Sequence, residues 1–356
     1  APFSFTLEVD LEGNGSWTKL REVNVAAGKD TSIAFTKSDL GAWIRVTASK
    51  DCTKATAAFS YRNEDPRSDT ADQIFNGLAK AGDTTATGGL VRSLDGDKRS
   101  LGFYHLDADL KLVKQADQTA LVAFEKETAI PEPKITADEA SAIYIEDDGT
   151  RWRMPKGETA ELFGKHRLVR EVATERDLLD LGGTFYELPA RNAGGASRMR
   201  PVATHNRMIQ DFCSYRGLFI CSGVSIKEAG NNPHILRSDD GKTALWAGVI
   251  DDVWKFGKPR GKGGPWKDTS VVAGTSSDPY LMTAYDKKSL TLSADADVKV
   301  TMEVDVSGAG NWVKLDTLEV AANKPLVHAF PDAFSAYWIR FTTDKDCKAT
   351  ALLTYE

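Results

Sequence analysis

One histidine, two tyrosines and five arginines fall between Gly182 and Gly223, the densest set of chemistry-bearing side chains in the chain. The set runs through Tyr186-Glu187, Arg200, His205-Asn206-Arg207, Asp211 and Tyr215-Arg216. Histidine, tyrosine and arginine together are what β-elimination from a uronate requires. A base must take the proton α to the carboxylate, an acid must protonate the leaving oxygen, and a cation must hold the developing charge. On that reading His205 is the base or acid and Tyr186 or Tyr215 the second proton carrier. Arg200 or Arg207 clamps the carboxylate, and Asn206, Arg216 and Trp254 complete the substrate-binding set. Hydrolysis needs two carboxylates across the scissile bond instead; Glu187 and Asp211 are the nearest pair, with Glu175 and Asp177 next and Asp251-Asp252 read as a turn.

Other candidates carry less context. His234 precedes a strand-like run, while His105, His166 and His328 lie in no polar constellation. Trp246, Trp254 and Trp266 have the chemistry of sugar-stacking platforms, although aromatic rings in a β-rich chain more often fill its core. No phosphate-binding loop, dinucleotide fingerprint or His-Glu-x-x-His motif occurs, and the four cysteines lack zinc-site spacing, so no cofactor and no metal are expected. Cys213 and Cys221 flank a short hairpin and could bridge only if its turn sets that register.

The elements that must position these residues read as strands. Between residues 63 and 285, Asp-Gly pairs stand between apolar runs at Asp95-Gly96, Asp148-Gly149 and Asp240-Gly241, a strong hairpin signal. Only Ala71 to Ala81 looks helical. The ends of the chain are repeats of one another: Glu8, Trp17, Trp43-Ile44-Arg45 and Cys52 recur as Glu303, Trp312, Trp338-Ile339-Arg340 and Cys347, at an offset of 295 from Glu8 to Glu303. Each copy alternates apolar and polar residues with period two, as in Phe5-Leu7-Val9, and turns at glycine-rich loops. Residues 1–62 and 286–356 are therefore expected to be homologous immunoglobulin- or fibronectin-like β-sandwich modules, with Trp17 and Trp312 largely buried. Trp43 and Arg45 share the outer face of one strand. Asp10-Leu11-Glu12-Gly13-Asn14-Gly15 has the look of a calcium loop, but the second copy loses its acidic residues, which favours a hairpin turn.

The turns at Asp147-Asp148-Gly149-Thr150-Arg151-Trp152 and Asp239-Asp240-Gly241-Lys242-Thr243 resemble degenerate Asp-boxes, the Ser-x-Asp-x-Gly-x-Thr-Trp turns of sialidase-like propellers. In these two turns Ile145 stands where the serine belongs, and Arg237 and Ala244 hold the outer positions. With its flanking modules the chain resembles secreted β-propeller carbohydrate-active enzymes, of polysaccharide lyase or glycoside hydrolase type. The resemblance implies an all-β fold with a propeller-like centre at residues 63–285. About 220 residues make four to five blades, so an upstream segment or a second chain is expected to complete the ring, in keeping with a first module that starts one strand late.

Composition sets outer bounds. A net charge of −6 argues against broad nucleic-acid binding, and no apolar run is long enough to span a membrane. The expected setting is secreted, periplasmic or cell-surface, and the expected partner a polysaccharide, degraded by β-elimination or hydrolysis. The rival reading is a non-catalytic glycan-binding, surface or scaffolding protein. Convergence of His205, an arginine and a tyrosine in one pocket favours the enzyme; their dispersal favours the rival.

Overall fold

The computed structural model describes residues 3–36, 38–61, 65–83, 92–94, 100–116, 119, 123, 135–157, 169–173, 176–332 and 334–356. The chain is mostly β. In order, the strands are β1 (Phe3–Asp10), β2 (Trp17–Val25), β3 (Trp43–Ala48), β4 (Arg92–Leu94), β5 (Ser100–Leu106), β6 (Leu112–Lys114), β7 (Ile135–Ala137), β8 (Ala142–Ile145) and β9 (Arg151–Met154). There follow β10 (Val169–Ala173), β11 (Arg176–Leu181), β12 (Thr184–Leu188), β13 (Arg200–Thr204), β14 (Phe212–Tyr215), β15 (Leu218–Cys221), β16 (Ile235–Arg237) and β17 (Ala244–Gly248). The last are β18 (Gly261–Val271), β19 (Tyr280–Leu281), β20 (Lys288–Ala294), β21 (Val298–Asp305), β22 (Trp312–Val320), β23 (Leu326–Ala329), β24 (Trp338–Thr343) and β25 (Cys347–Tyr355).

The repeat holds down to single hydrogen-bond positions. β1 pairs with β2 and β3, and β21 with β22 and β24, in the same register: Glu8 faces Arg45 as Glu303 faces Arg340, and Asp10 faces Trp43 as Asp305 faces Trp338. Both copies carry a bulge at the same place, Leu7/Glu8 and Met302/Glu303. The glycine-rich turn is built on one carboxylate. Asp10 accepts the N–H groups of Glu12, Gly13, Asn14 and Gly15, and Asp305 those of Ser307, Gly308, Ala309 and Gly310. Asp10 is therefore an acceptor used up by its own backbone. Trp17 and Trp312 are half-buried rather than largely buried, because each is roofed by a guanidinium, Arg45 at 4.4 Å and Arg340 at 4.3 Å. Arg45 thus stacks on Trp17, not on Trp43.

Beyond this shared sheet the copies differ. In the C-terminal repeat a second sheet, β18-β25-β20-β23, packs across from β22-β21-β24. Alternate side chains of both, among them Leu290, Leu292, Val300, Met302, Phe341, Ala351 and Leu353, fill one core. In the N-terminal repeat the sheet has three strands among the described residues, β2-β1-β3. The first sheet of the C-terminal repeat also runs on: β24 pairs with β19, β19 runs parallel to β9 through Tyr280 and Arg153, and β8 and β7 complete seven strands. Hydrogen bonds therefore cross residue 286, since β18 and β19 precede it and pair with β25 and β24.

The central strands form antiparallel sheets stacked face to face: β4-β5-β6, then β14-β15-β17-β16, then β10-β11-β12-β13. Period-two alternation makes each sheet two-faced. From β12, Phe185 enters a core shared with Phe212, Phe219 and Trp246, whereas its neighbour Tyr186 enters the core of the C-terminal repeat. From β15 and β17, Ile220, Leu245 and Ala247 meet Tyr104 and Leu106. Among the described residues no sheet closes on itself. Asp148-Gly149 joins β8 to β9 and Asp240-Gly241 joins β16 to β17, in different sheets; Asp95-Gly96 lies outside the described residues. The expected helix over 71–81 is a single 3-10 turn, Gln73–Phe75, capped by Asp72. Gly77 at φ 103°, lying against Ala229, ends it, and Leu78 and Lys80 bridge instead to Val224 and Arg207.

Candidate functional site

His205 follows β13 and is enclosed. Its ring packs on Phe185 and Phe256 at centroid distances of 4.8 and 5.3 Å. Nδ1 accepts the backbone N–H of Arg207 at 3.0 Å, so the ring proton sits on Nε2, which donates to Asp180 at 3.1 Å. Both nitrogens are thereby used inside the fold. Tyr186 is buried in a group with Tyr280, Tyr285 and Tyr355, and burial holds its phenol well above the ordinary value. Tyr215 donates its hydroxyl to the carbonyl of Leu106 at 2.8 Å, on the far side of the β14–β17 sheet. The three predicted proton carriers thus lie against three different cores.

The predicted cations also part company. Arg207 is half-buried, and burial lowers its pKa; its backbone bridges to Lys80 and its Nη1 points to the Leu78 carbonyl at 3.5 Å. Asn206 beside it adopts φ 49°. Arg216 and Gly217, at φ 51° and 82°, form the two-residue turn between β14 and β15 and project to solvent. That turn sets Cys213 opposite Ile220 and Cys221 opposite Phe212, one residue out of step, and both thiols are free. Asp211 is held bidentate by Arg170 at 2.9 Å. Burial, with Glu171 nearby, raises the carboxyl of Asp177.

Two predicted residues do meet, Glu187 and Arg200, with Trp254 on an element that borders them. Glu187 on β12 lines a shallow depression with Leu178, Val202, Ile250 and Val253, and accepts from Arg200 on β13, its cross-strand partner, at 2.5 Å. Trp254 lies on the 3-10 segment Ile250–Phe256 that also supplies Ile250 and Val253, and it is 39% exposed. Arg67 stacks over its ring at 4.6 Å, donates to the Val202 carbonyl at 2.7 Å and is held by Asp65. Asp252 caps the same segment by accepting the N–H of Val249 at 2.9 Å, so the Asp251-Asp252 pair is the turn expected of it. The chemistry gathered here is one carboxylate–guanidinium pair beside a small apolar depression, with a half-exposed tryptophan nearby that carries Arg67 on one face.

Four of the remaining aromatic and histidine candidates are packed within the fold. Trp246 and Trp266 are buried, His234 stacks on Trp246 with a bond to the Ala247 carbonyl at 2.7 Å, and His328 packs edge-on against Phe330. His105 is exposed; His166 and Glu175 lie outside the described residues. No cluster of three or more His, Cys, Asp or Glu suited to a metal occurs among the described residues. Two partners went unread in the sequence: Asp180, whose only signal is its place on β11 beside β12, and Arg67, whose signal is the Asp65-x-Arg67 spacing that lets one side chain brace the other. No protein-family model matches the chain, and no curated protein matches it.

Proposed function

We propose that the chain is a non-catalytic glycan-binding protein of the cell exterior, a propeller-like stack of sheets with homologous modules at either end, the C-terminal one a β-sandwich. The observation that carries this reading is the dispersal of the proton carriers. His205, Tyr186 and Tyr215 face separate cores, so no two of them can serve one sugar. The face-to-face sheets with alternating side chains are in keeping with blades. In support of binding, Glu187 at the depression and its cross-strand partner Arg200 offer groups for hydroxyls or carboxylates, and Trp254, on the segment that supplies Ile250 and Val253, offers a ring for a sugar face.

The test is a panel of acidic and neutral polysaccharides offered to the intact protein, with binding and product release followed together. Binding without products is expected, weakened at least about tenfold, or about 1.4 kcal/mol, in Trp254→Ala and Glu187→Gln. Turnover of any acidic polysaccharide that disappears in a folded His205→Ala protein would restore the reading of uronate β-elimination. Turnover that survives in His205→Ala but disappears in Glu187→Gln would restore hydrolysis.

A further inference from the structure

Two Asn-Gly steps occur in the chain, Asn14-Gly15 and Asn76-Gly77. Glycine after asparagine leaves the main-chain nitrogen uncrowded by a Cβ, so that nitrogen can attack the side-chain amide carbon and close a five-membered ring. The two steps have opposite surroundings. Asn14-Gly15 lies in the exposed turn between β1 and β2, where a Cβ on Gly15 would meet nothing within 4 Å. Asn76-Gly77 is held in place. The Asn76 carbonyl accepts from Asn232 Nδ2 at 2.7 Å, the Gly77 carbonyl accepts the Ser225 N–H at 2.7 Å, and Gly77 lies against Ala229.

Around Asn14 each reacting group has a partner of the right polarity. The Gly15 N–H, the nucleophile, donates to Asp10 Oδ2 at 2.7 Å. Asn14 Oδ1, where negative charge builds as the ring closes, accepts the Ser16 N–H at 2.9 Å. Asn14 Nδ2, the leaving group, donates to Glu12 Oε2 at 2.9 Å. A base, an oxyanion donor and a proton carrier therefore stand around one amide. Among the described residues no carboxylate accepts the Gly77 N–H in the same way. The C-terminal copy has the turn without the amide: the Gly310 N–H donates to Asp305 Oδ2 at 2.7 Å, and Ala309 stands where Asn14 does.

We infer that Asn14 is a self-modifying site, whose side-chain amide is removed by its own turn in the folded protein. This rests on the turn alone and not on the glycan reading. Asp10 takes the Gly15 proton, the Gly15 nitrogen bonds to Asn14 Cγ, and the Cγ–Nδ2 bond breaks. The departing nitrogen picks up one proton, relayed from water by Glu12, and leaves as ammonia, while Asp10 returns its proton to water. Water then opens the succinimide at either carbonyl, giving aspartate or isoaspartate at position 14. Either product sets a new carboxylate beside Asp10 and Glu12, and isoaspartate also lengthens the main chain by one carbon. The turn that pins β1 to β2, with its N–H groups converging on Asp10, is thus the part of the fold that changes with age.

Incubation of the full-length protein at physiological pH and temperature, folded and in urea, tests this. Peptide mapping by mass follows amide loss at each asparagine and separates aspartate from isoaspartate. Asn14 should convert at least about tenfold faster in the folded protein than in the unfolded chain, and at least about tenfold faster than Asn76 in the folded protein. Ala309→Asn sets an amide in the equivalent exposed turn beside Asp305, and it too should react faster folded than in urea. Three results would overturn the inference: Asn14 losing its amide no faster folded than in urea, Asn76 keeping pace with Asn14, or the amide introduced by Ala309→Asn gaining nothing from the fold.

Discussion

His205 shows how far a residue type can be read without its surroundings. Its neighbours in sequence suggested acid–base chemistry, but the hydrogen bonds to Asp180 and to the Arg207 N–H make it a strut between β11 and the turn after β13. His205→Ala should lower the unfolding free energy by about 2–3 kcal/mol, through a cavity and an unpaired Asp180; urea denaturation measures it. The glycan binding proposed at Glu187 should survive in the fraction that remains folded. The thiols give a second check at this scale. Burial pushes Cys213 up to about 11 and holds the fully buried Cys221 well above the ordinary thiol value, while Cys52 is exposed. A thiol reagent at pH 8 should therefore modify Cys52 first and leave Cys221 unmodified until the protein unfolds, as peptide mapping at intervals would reveal. What the sequence hid was direction: period two assigns Phe185 and Tyr186 to opposite faces but does not say which face meets solvent, and here neither does.

Among the elements, the terminal repeat was the most legible part of the chain, for a physical reason. Residues that fix a register, such as the Asp10 and Asp305 acceptors and the Glu8–Arg45 and Glu303–Arg340 pairs, must keep their type for the bulge and turn to form, so they stay visible as matches. Asp305→Ala removes the acceptor for four backbone N–H groups and should cost about 1–3 kcal/mol, visible as a lower midpoint for the C-terminal repeat in thermal unfolding. The segment 71–81 misled because its apolar spacing serves as a plug. Phe75 stacks on Phe256 and Leu78 is buried in the same core, while Gly77 makes the turn between them. Strand β19 left no trace in the sequence at all, since two residues offer no period to read.

At the scale of the whole molecule, identical residues acquire different weights from what lies beyond them. Trp338 packs at a tilt against Trp152, with ring centroids 4.5 Å apart, and donates to the Ser197 carbonyl at 2.6 Å, so Trp338→Ala should destabilise by about 3–5 kcal/mol. Trp43→Ala should cost under about 0.5 kcal/mol, since Trp43 is 66% exposed; guanidinium titrations of the two proteins compare them directly. The crossing of residue 286 by β18 and β19 gives another expectation. A fragment of residues 258–356 should fold with a cooperative transition, and one of residues 286–356 should not, because it lacks the neighbours of β25 and β24. Circular dichroism of the two fragments is the measurement, and a folded shorter fragment would contradict it. The parallel contact of β9 with β19 also bears on how the protein is made. A ribosome releases the hairpin of β8 and β9 long before β19 and β24 emerge, and that hairpin's outer edge stays open while the intervening sheets are synthesised. Its arginines, Arg151 and Arg153, which end up bound to Asp278, face that interval as charged guards on an edge that would otherwise invite pairing with a neighbouring nascent chain.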